Sequence, residues 1–216
     1  MQIKALFFDL DGTLYSNGVG IWNAISVKMN EFMHKKLGIP LENVSTIREG
    51  YFHKYGTTLR GIQIHYDIDP DEYLNYVHDV PVKDFLKKDE YLHELLKNDK
   101  SPKWILTNSD RNHSGRVLEA LGVRDQFEGI VDVWATDFNP KPTPHFFETA
   151  LKISGFSQPD SIIFYDDIEQ NVLGAKKFGF ISVYVGTGII AKGIDNHIAN
   201  IHDFHKIKKA LISSNE

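Results

Sequence analysis

The chain has 216 residues, 42% of them hydrophobic, a formal net charge of -5 at pH 7 and no cysteine. That length is one domain, or one domain carrying an insert, with enough apolar content for a sizeable core. The missing cysteines exclude disulfides and thiolate metal sites; the lack of basic excess argues against a nucleic-acid polymer as partner, although a mononucleotide needs only one local cation.

The first predicted element is the apolar run Ala5-Leu6-Phe7-Phe8, the pattern of a strand buried on both faces. It delivers Asp9 and Asp11, followed by Gly12 and Thr13, where the chain can turn. Side chains alternate along a strand, so the two acids point the same way if the strand continues through them. Two carboxylates side by side are costly unless a cation sits between them or one holds a proton. A magnesium ion answers that cost with hard oxygen ligands. Taken alone, the pattern would favour solvated aspartates in a glycine turn.

Residues 16–82 read as helical. Ile21, Ala24, Ile25, Met29 and Phe32 are spaced for one buried face, further helices are predicted around 44–55 and 69–78, and Gly38-Ile39-Pro40 and Asp69-Pro70 punctuate them. A helical block this long after the first strand predicts an inserted cap at 16–82, with the core formed by 1–15 and 83–216. From residue 83 the pattern alternates. Helices are predicted over 89–98, 111–121, 144–154 and 168–178, and strands over 103–106, 130–134, 161–165 and 181–185. A loop and a terminal helix over 204–212 follow. The alternation predicts an α/β, Rossmann-like parallel sheet with right-handed crossovers, whose ligands bind at the carboxyl ends of the strands. No apolar run approaches the ~18 residues of a membrane helix. Met1 leads straight into a core strand with no signal peptide, so the expected compartment is the cytoplasm.

Three further motifs lie at predicted strand ends or in the loops beyond them. Thr107-Asn108-Ser109 offers a hydroxyl and backbone N–H groups that can hold a phosphate oxygen or cap the next helix. Lys141 sits in the stiff segment Asn139-Pro140-Lys141-Pro142. A fixed ammonium beside carboxylates and a phosphate suits developing negative charge, while a solvated loop is the commoner place for a lysine. Asp166-Asp167 ends the fourth strand, and adjacent strand residues face opposite ways, so both binding one ion requires a turn. His113 and Arg116 lie just past Ser109, and their expected positions are solvated. The 10 histidines show no zinc spacing.

Together, Asp9-Leu10-Asp11-Gly12-Thr13, Thr107-Asn108-Ser109, Lys141-Pro142 and Asp166-Asp167 resemble the four motifs of the haloacid dehalogenase superfamily of phosphatases. Tyr55-Gly56-Thr57-Thr58-Leu59-Arg60-Gly61 is similar to a stretch of pyrimidine 5'-nucleotidases of the yeast and plant type. The resemblance implies that Asp9 is a nucleophile forming an aspartyl-phosphate. It implies that Asp11 is the acid and base and lends its backbone carbonyl to Mg2+. Thr107 and Asn108 would hold phosphate and Lys141 would stabilise charge. Asp167 would ligate the metal directly, and Asp166 through water or by orienting a ligand. The family often carries an acid four residues after the ligand; here that residue is Asn171. Tyr55, Thr58 and Arg60 are the expected cap contacts to substrate. The expected function is a magnesium-dependent hydrolase of a small phosphomonoester, foremost a pyrimidine nucleoside 5'-monophosphate. The alternatives are a sugar phosphate or phosphoglycolate phosphatase and, behind these, a sugar phosphomutase.

Overall fold

The strand β1 (Ala5–Phe8) is buried at every residue. The structure, a computed structural model, describes residues 2–213. After β1 come four helices in succession, α1 (Ile21–Leu37), α2 (Leu41–Tyr55), α3 (Thr58–His65) and α4 (Pro70–Val77). The chain then runs through α5 (Val82–Phe85), α6 (Glu90–Asn98), β2 (Lys103–Leu106), α7 (Arg111–Leu121), β3 (Gly129–Val131) and α8 (Pro144–Ser154). It finishes with β4 (Ile162–Asp166), α9 (Glu169–Phe178), β5 (Ile181–Val185), β6 (Asn196–Ile198) and α10 (Phe204–Ser213).

The strands form one parallel sheet in the order β3-β2-β1-β4-β5-β6. Strand alternation divides the apolar run of β1 between two cores. Leu6 and Phe8 join Val117, Leu118, Tyr165 and Phe204 on one face; Ala5 and Phe7 join Phe146, Phe147 and Phe164 on the other. The Phe8 ring stacks on Tyr165 with centroids 4.9 Å apart. Truncating Phe7 or Phe8 to alanine would cost about 3–5 kcal/mol, the usual penalty for emptying a phenylalanine site in a packed core. The order also fixes where a ligand can sit. The chain goes from β1 to β2 and β3 on one side, then crosses to β4 and β5 on the other. The strand order therefore reverses between β1 and β4, and crevices open at the carboxyl ends of strands at such a switch point.

In the helical block, the stripe Ile21, Ile25, Met29 and Phe32 of α1 is buried along with Tyr73, Leu74 and Val77 of α4, and Phe32 meets Tyr73 edge-on at 5.1 Å. α2 and α3 form a tight hairpin. A Cβ at Gly61 would lie 2.2 Å from the Tyr51 ring, so only glycine permits this approach. Leu59 and Ile62 of α3 are buried.

The structure departs from the sequence expectation in two elements. The third strand ends at Val131 rather than near Trp134, because Asp132 accepts hydrogen bonds from the backbone N–H groups of Arg111 and Ala135, both at 3.0 Å, and turns the chain. The tail contains β6, which pairs with β5 through Val183, Tyr184 and Val185; a three-residue edge strand is too short for alternation to reveal. Among the described residues no helix is long and apolar enough to cross a membrane.

Candidate active site

The motif residues converge at the carboxyl ends of β1, β2 and β4. The Asp9 N–H still belongs to the ladder, donating to the Tyr165 carbonyl at 2.8 Å. Beyond it the chain coils, with Thr13 and Leu14 donating to the Leu10 carbonyl at 3.3 and 3.0 Å, so the strand does not continue through Asp11. Gly12 makes that coil possible. Its φ is +93°, and a Cβ there would lie 2.2 Å from an Asp167 carboxylate oxygen.

Lys141 is 1% exposed and fully used. Its ammonium donates to Asp9 Oδ1 at 2.6 Å, to Asp166 Oδ2 at 2.7 Å and to the Leu106 carbonyl at 2.8 Å. The Asn108 side chain clamps the Lys141 backbone, accepting its N–H at 2.8 Å and donating to its carbonyl at 3.4 Å. Burial opposes the lysine's charge, but the two carboxylates overcome it and hold the ammonium above its ordinary pKa. Asp166 also accepts from the Ile168 N–H and, at 3.1 Å to each oxygen, from Asn171. Asn171 thus fills the position where the family often has an acid. Asp167 accepts from Asn17 at 2.8 Å and lies 3.4 Å from the Thr13 hydroxyl.

One oxygen each of Asp9, Asp166 and Asp167 falls within 4.8 Å of the others. Burial and this crowding of like charges push Asp9 well up, against the pull of Lys141, and push Asp167 up to about 7. An all-oxygen, hard donor set in which three carboxylates crowd one another fits a magnesium ion.

Asp11 has a different environment. Its Oδ1 accepts from the Tyr15 hydroxyl at 2.5 Å and pairs with His113 Nε2 at 2.8 Å; its Oδ2 accepts from the Ser109 hydroxyl at 2.8 Å. Burial would raise this carboxyl, but His113 and the two hydroxyls outweigh it and hold it below the ordinary carboxylate range. Thr107 is buried, and its hydroxyl oxygen accepts the Ser109 N–H at 3.0 Å, shaping the turn after β2.

Above these groups lies a cavity of about 570 Å³, lined from the core by Asp9, Asp11, Thr107, Asn108, Lys141 and Asp167. The helical block lines the other side with Trp22, Met29, Arg48, Phe52, Thr58 and Tyr73. Of the cap residues expected to contact substrate, Thr58 is on the wall, and Tyr55 and Arg60 are not. Gly56, at φ +84°, ends α2 and reverses the chain, which leaves Tyr55 bonded to His65 at 3.1 Å across the hairpin and Arg60 on a flank of α3.

His113 is fully buried against Asp11 rather than at the solvated position expected of it, whereas Arg116 is exposed as expected and donates to the His78 carbonyl at 2.6 Å. The signal was present, since His113, Val117, Ala120 and Leu121 form one i, i+4, i+7, i+8 stripe. Arg48, Trp22 and Phe52 carried no motif at all, because a cavity wall gathered from separate helices has no local spacing.

A parallel α/β sheet with an acidic cluster and a buried lysine at its switch point, closed over by a helical insert, is the architecture of a haloacid dehalogenase-like hydrolase. The model of that family matches residues 3–179, and the chain belongs to it. The chain is 34% identical over 190 residues, 82% of its length, to Phosphate metabolism protein 8 of Saccharomyces cerevisiae, and spans 59% of that protein. Its fold is similar to β-phosphoglucomutase of Clostridium difficile, with a TM-score of 0.68, 20% identity and 99% of each chain covered. It is also similar to L-2-haloacid dehalogenase of Xanthobacter autotrophicus, with a TM-score of 0.63, 18% identity, and 97% of this chain and 100% of that one covered.

Proposed function

We propose that the protein is a magnesium-dependent phosphomonoesterase that works through an aspartyl-phosphate on Asp9, and that its substrate is a pyrimidine nucleoside 5'-monophosphate. The observation that carries this reading is the contrast between the two carboxylates of the first motif. Asp9 shares Lys141 with Asp166 inside the acidic cluster, whereas Asp11 stands apart on three donors. Two acids with environments that push their pKa values apart suit two separate tasks.

In the first step a carboxylate oxygen of Asp9 attacks phosphorus in line with the ester oxygen. The Asp9 O–P bond forms, the ester P–O bond breaks, and the departing alkoxide takes the proton that Asp11 carries. Asp11 is ionised in the resting site, and the phosphate monoester entering as its monoanion hands it that proton and reacts as the dianion. In the second step water attacks phosphorus, Asp11 removes its proton, and the Asp9 O–P bond breaks to free inorganic phosphate. Lys141 screens the equatorial oxygens throughout, and Thr107 and Asn108 orient them. A magnesium ion held by Asp9, Asp167, the Asp11 carbonyl and, through water, Asp166 would supply further neutralisation of the phosphoryl charge. Dehalogenation would leave Asp11 without a task, because a departing halide needs no proton.

The substrate class rests on the other half of the cavity. Its size exceeds what phosphoglycolate requires, the Trp22 and Phe52 rings offer apolar walls for a planar base, and Arg48 offers a cation for carbonyl oxygens. The similarity to a phosphate metabolism protein supports a phosphorylated substrate, and the resemblance of the Tyr55–Gly61 stretch supports a pyrimidine nucleotide. Phosphate release with magnesium, screened over nucleoside monophosphates, sugar phosphates and phosphoglycolate, tests it. The expected result is fastest turnover with a pyrimidine monophosphate. Preference for a sugar phosphate would overturn the nucleotide assignment, and no release from any ester would overturn the phosphatase itself.

A further inference from the structure

His113 belongs to none of the four motifs, yet its ring is fully buried in contact with Asp11. The other ring nitrogen, Nδ1, is also buried and has no hydrogen-bond partner among the described residues. A buried N–H without an acceptor costs about 1–3 kcal/mol, so the proton of the neutral ring belongs on Nε2, where Asp11 receives it. The ring cannot turn away. His78 stacks on it with centroids 4.5 Å apart and planes at 17°. His78 is in turn held by its Nδ1 to Asp110 Oδ2 at 2.5 Å. The second oxygen of Asp110 accepts the backbone N–H groups of Asn112 and His113 at 2.7 and 2.9 Å, so one carboxylate fixes both members of the stack.

The two oxygens of Asp11 are therefore unequal. Oδ1 has two partners, the Tyr15 hydroxyl and the locked His113 ring, which occupy both of its acceptor directions. Oδ2 has one, the Ser109 hydroxyl, which leaves its second acceptor direction open for a proton. We propose that His113 is a positioning residue that pins Oδ1 of Asp11, so that Oδ2 carries the proton given to the leaving oxygen and later taken from water. The role rests on the phosphatase reading above. Ser109 goes on donating into one acceptor direction of Oδ2 while the transferable proton takes the other, and His113 holds Oδ1 through both steps.

The test is a double-mutant cycle on magnesium-dependent phosphate release. Two substrates are used, a pyrimidine nucleoside monophosphate and 4-nitrophenyl phosphate, the latter reactive enough to measure slow variants. His113→Phe fills the ring volume without a donor, His113→Asn is smaller and cannot reach the Nε2 position, and His113→Gln brings an amide N–H back to it. His113→Phe should lower kcat about 30- to 100-fold with KM within about threefold, the scale expected when a reacting group is misplaced by about an ångström. His113→Gln should recover most of that loss. In the Asp11→Asn background, adding His113→Phe should change the rate by less than about twofold, because a residue that acts only through Asp11 has nothing left to position. If His113→Phe fails to fold by thermal melting, His113→Asn replaces it in both backgrounds.

The proposal is overturned if the donor-free variants keep more than about a third of wild-type kcat. It is overturned equally if the loss is as large in the Asp11→Asn background as in wild type, which would mark a merely structural histidine, or if His113→Gln is no faster than His113→Asn. A wild-type protein that releases no phosphate removes the phosphatase reading, and this role with it; an active wild type with an indifferent His113 removes the role alone.

Discussion

The floor and the roof of the cavity are built on opposite principles. On the floor, the Lys141 ammonium has three acceptors and the buried Asp166 carboxylate is bonded by Lys141, Ile168 and Asn171. On the roof, the Arg48 guanidinium is bonded by the Ser26 carbonyl and hydroxyl, Asn30 and the Met29 sulfur, with no carboxylate among the described residues to neutralise it. Its Nε and the hydroxyl of Tyr73, another lining residue, are buried without hydrogen-bond partners among the described residues. On the phosphatase reading proposed above, the floor meets the same phosphoryl group in every substrate and can be fixed in advance. On the same reading the roof meets the variable leaving group, to which it presents Arg48, Trp22 and Phe52.

The largest effects should follow from breaking the floor. Asp9→Asn keeps the shape of the side chain but cannot attack phosphorus, so turnover should fall by more than about a hundredfold while far-UV circular dichroism is unchanged. A variant above a hundredth of wild-type rate would argue against covalent catalysis by Asp9. The acidic pair at the end of β4 gives a sharper contrast. Asp167→Ala should weaken magnesium dependence of turnover with little loss of stability, because its carboxylate is bonded by Asn17 and Thr13 rather than by a buried charge. Asp166→Ala should weaken magnesium dependence less. It should destabilise the fold by about 3–5 kcal/mol, since it leaves Lys141 buried with one carboxylate where it had two. Magnesium titrations and urea melts of both variants check this, and the reverse order of magnesium effects would assign the ligand to Asp166.

These contrasts also explain how much the sequence could reveal. The sheet, the helical insert and the floor were legible because each is local. β1 is four apolar residues followed by its two acids, and Lys141 is fixed by its flanking prolines. The sequence says least where partners are distant in the chain. Tyr55 and Arg60 sit in a recognisable stretch, but the turn at Gly56 decides which side they face. Asn108 was expected to bind phosphate, and its amide also clamps the Lys141 backbone 33 residues away. His113 meets Asp11 across 102 residues, a contact that no local spacing encodes.

A smaller effect should follow from breaking the roof. Arg48→Ala should raise KM for a pyrimidine monophosphate about tenfold, the scale of one lost charged hydrogen bond, and should change 4-nitrophenyl phosphate kinetics much less. Tyr55→Ala and Arg60→Ala, off the cavity wall, should each stay within about threefold for both substrates. A loss for the nucleotide that is larger in Arg60→Ala than in Arg48→Ala would mean that the insert closes on substrate through a different face.

The smallest expected effect is on stability and follows from the raised carboxyl of Asp167. With metal chelated, burial and the neighbouring Asp166 push its pKa up to about 7, against 3.8 as the ordinary value. Between these values the native state binds a proton that the unfolded chain has lost, so Asp167 makes stability fall as pH rises from about 4 to 7. Other groups slope differently. Burial pushes His78 below its ordinary pKa, which makes stability rise with pH as the unfolded histidine deprotonates. Asp110, buried but held down to about 2 by His78 and the amides of α7, contributes stability that is complete above about pH 4 and lost below it. Comparing wild type with Asp167→Asn cancels both, because the two proteins share them. In chelator, the Tm of Asp167→Asn should therefore gain on that of wild type steadily from pH 4 to 7 and hold its lead above pH 8, where wild type carries the full charge. Saturating magnesium should shrink that lead, since the ion neutralises the carboxylate that the substitution removes. A Tm difference that is flat from pH 4 to 8 would mean that Asp167 is ionised throughout, with Lys141 already supplying the charge that the metal was assigned.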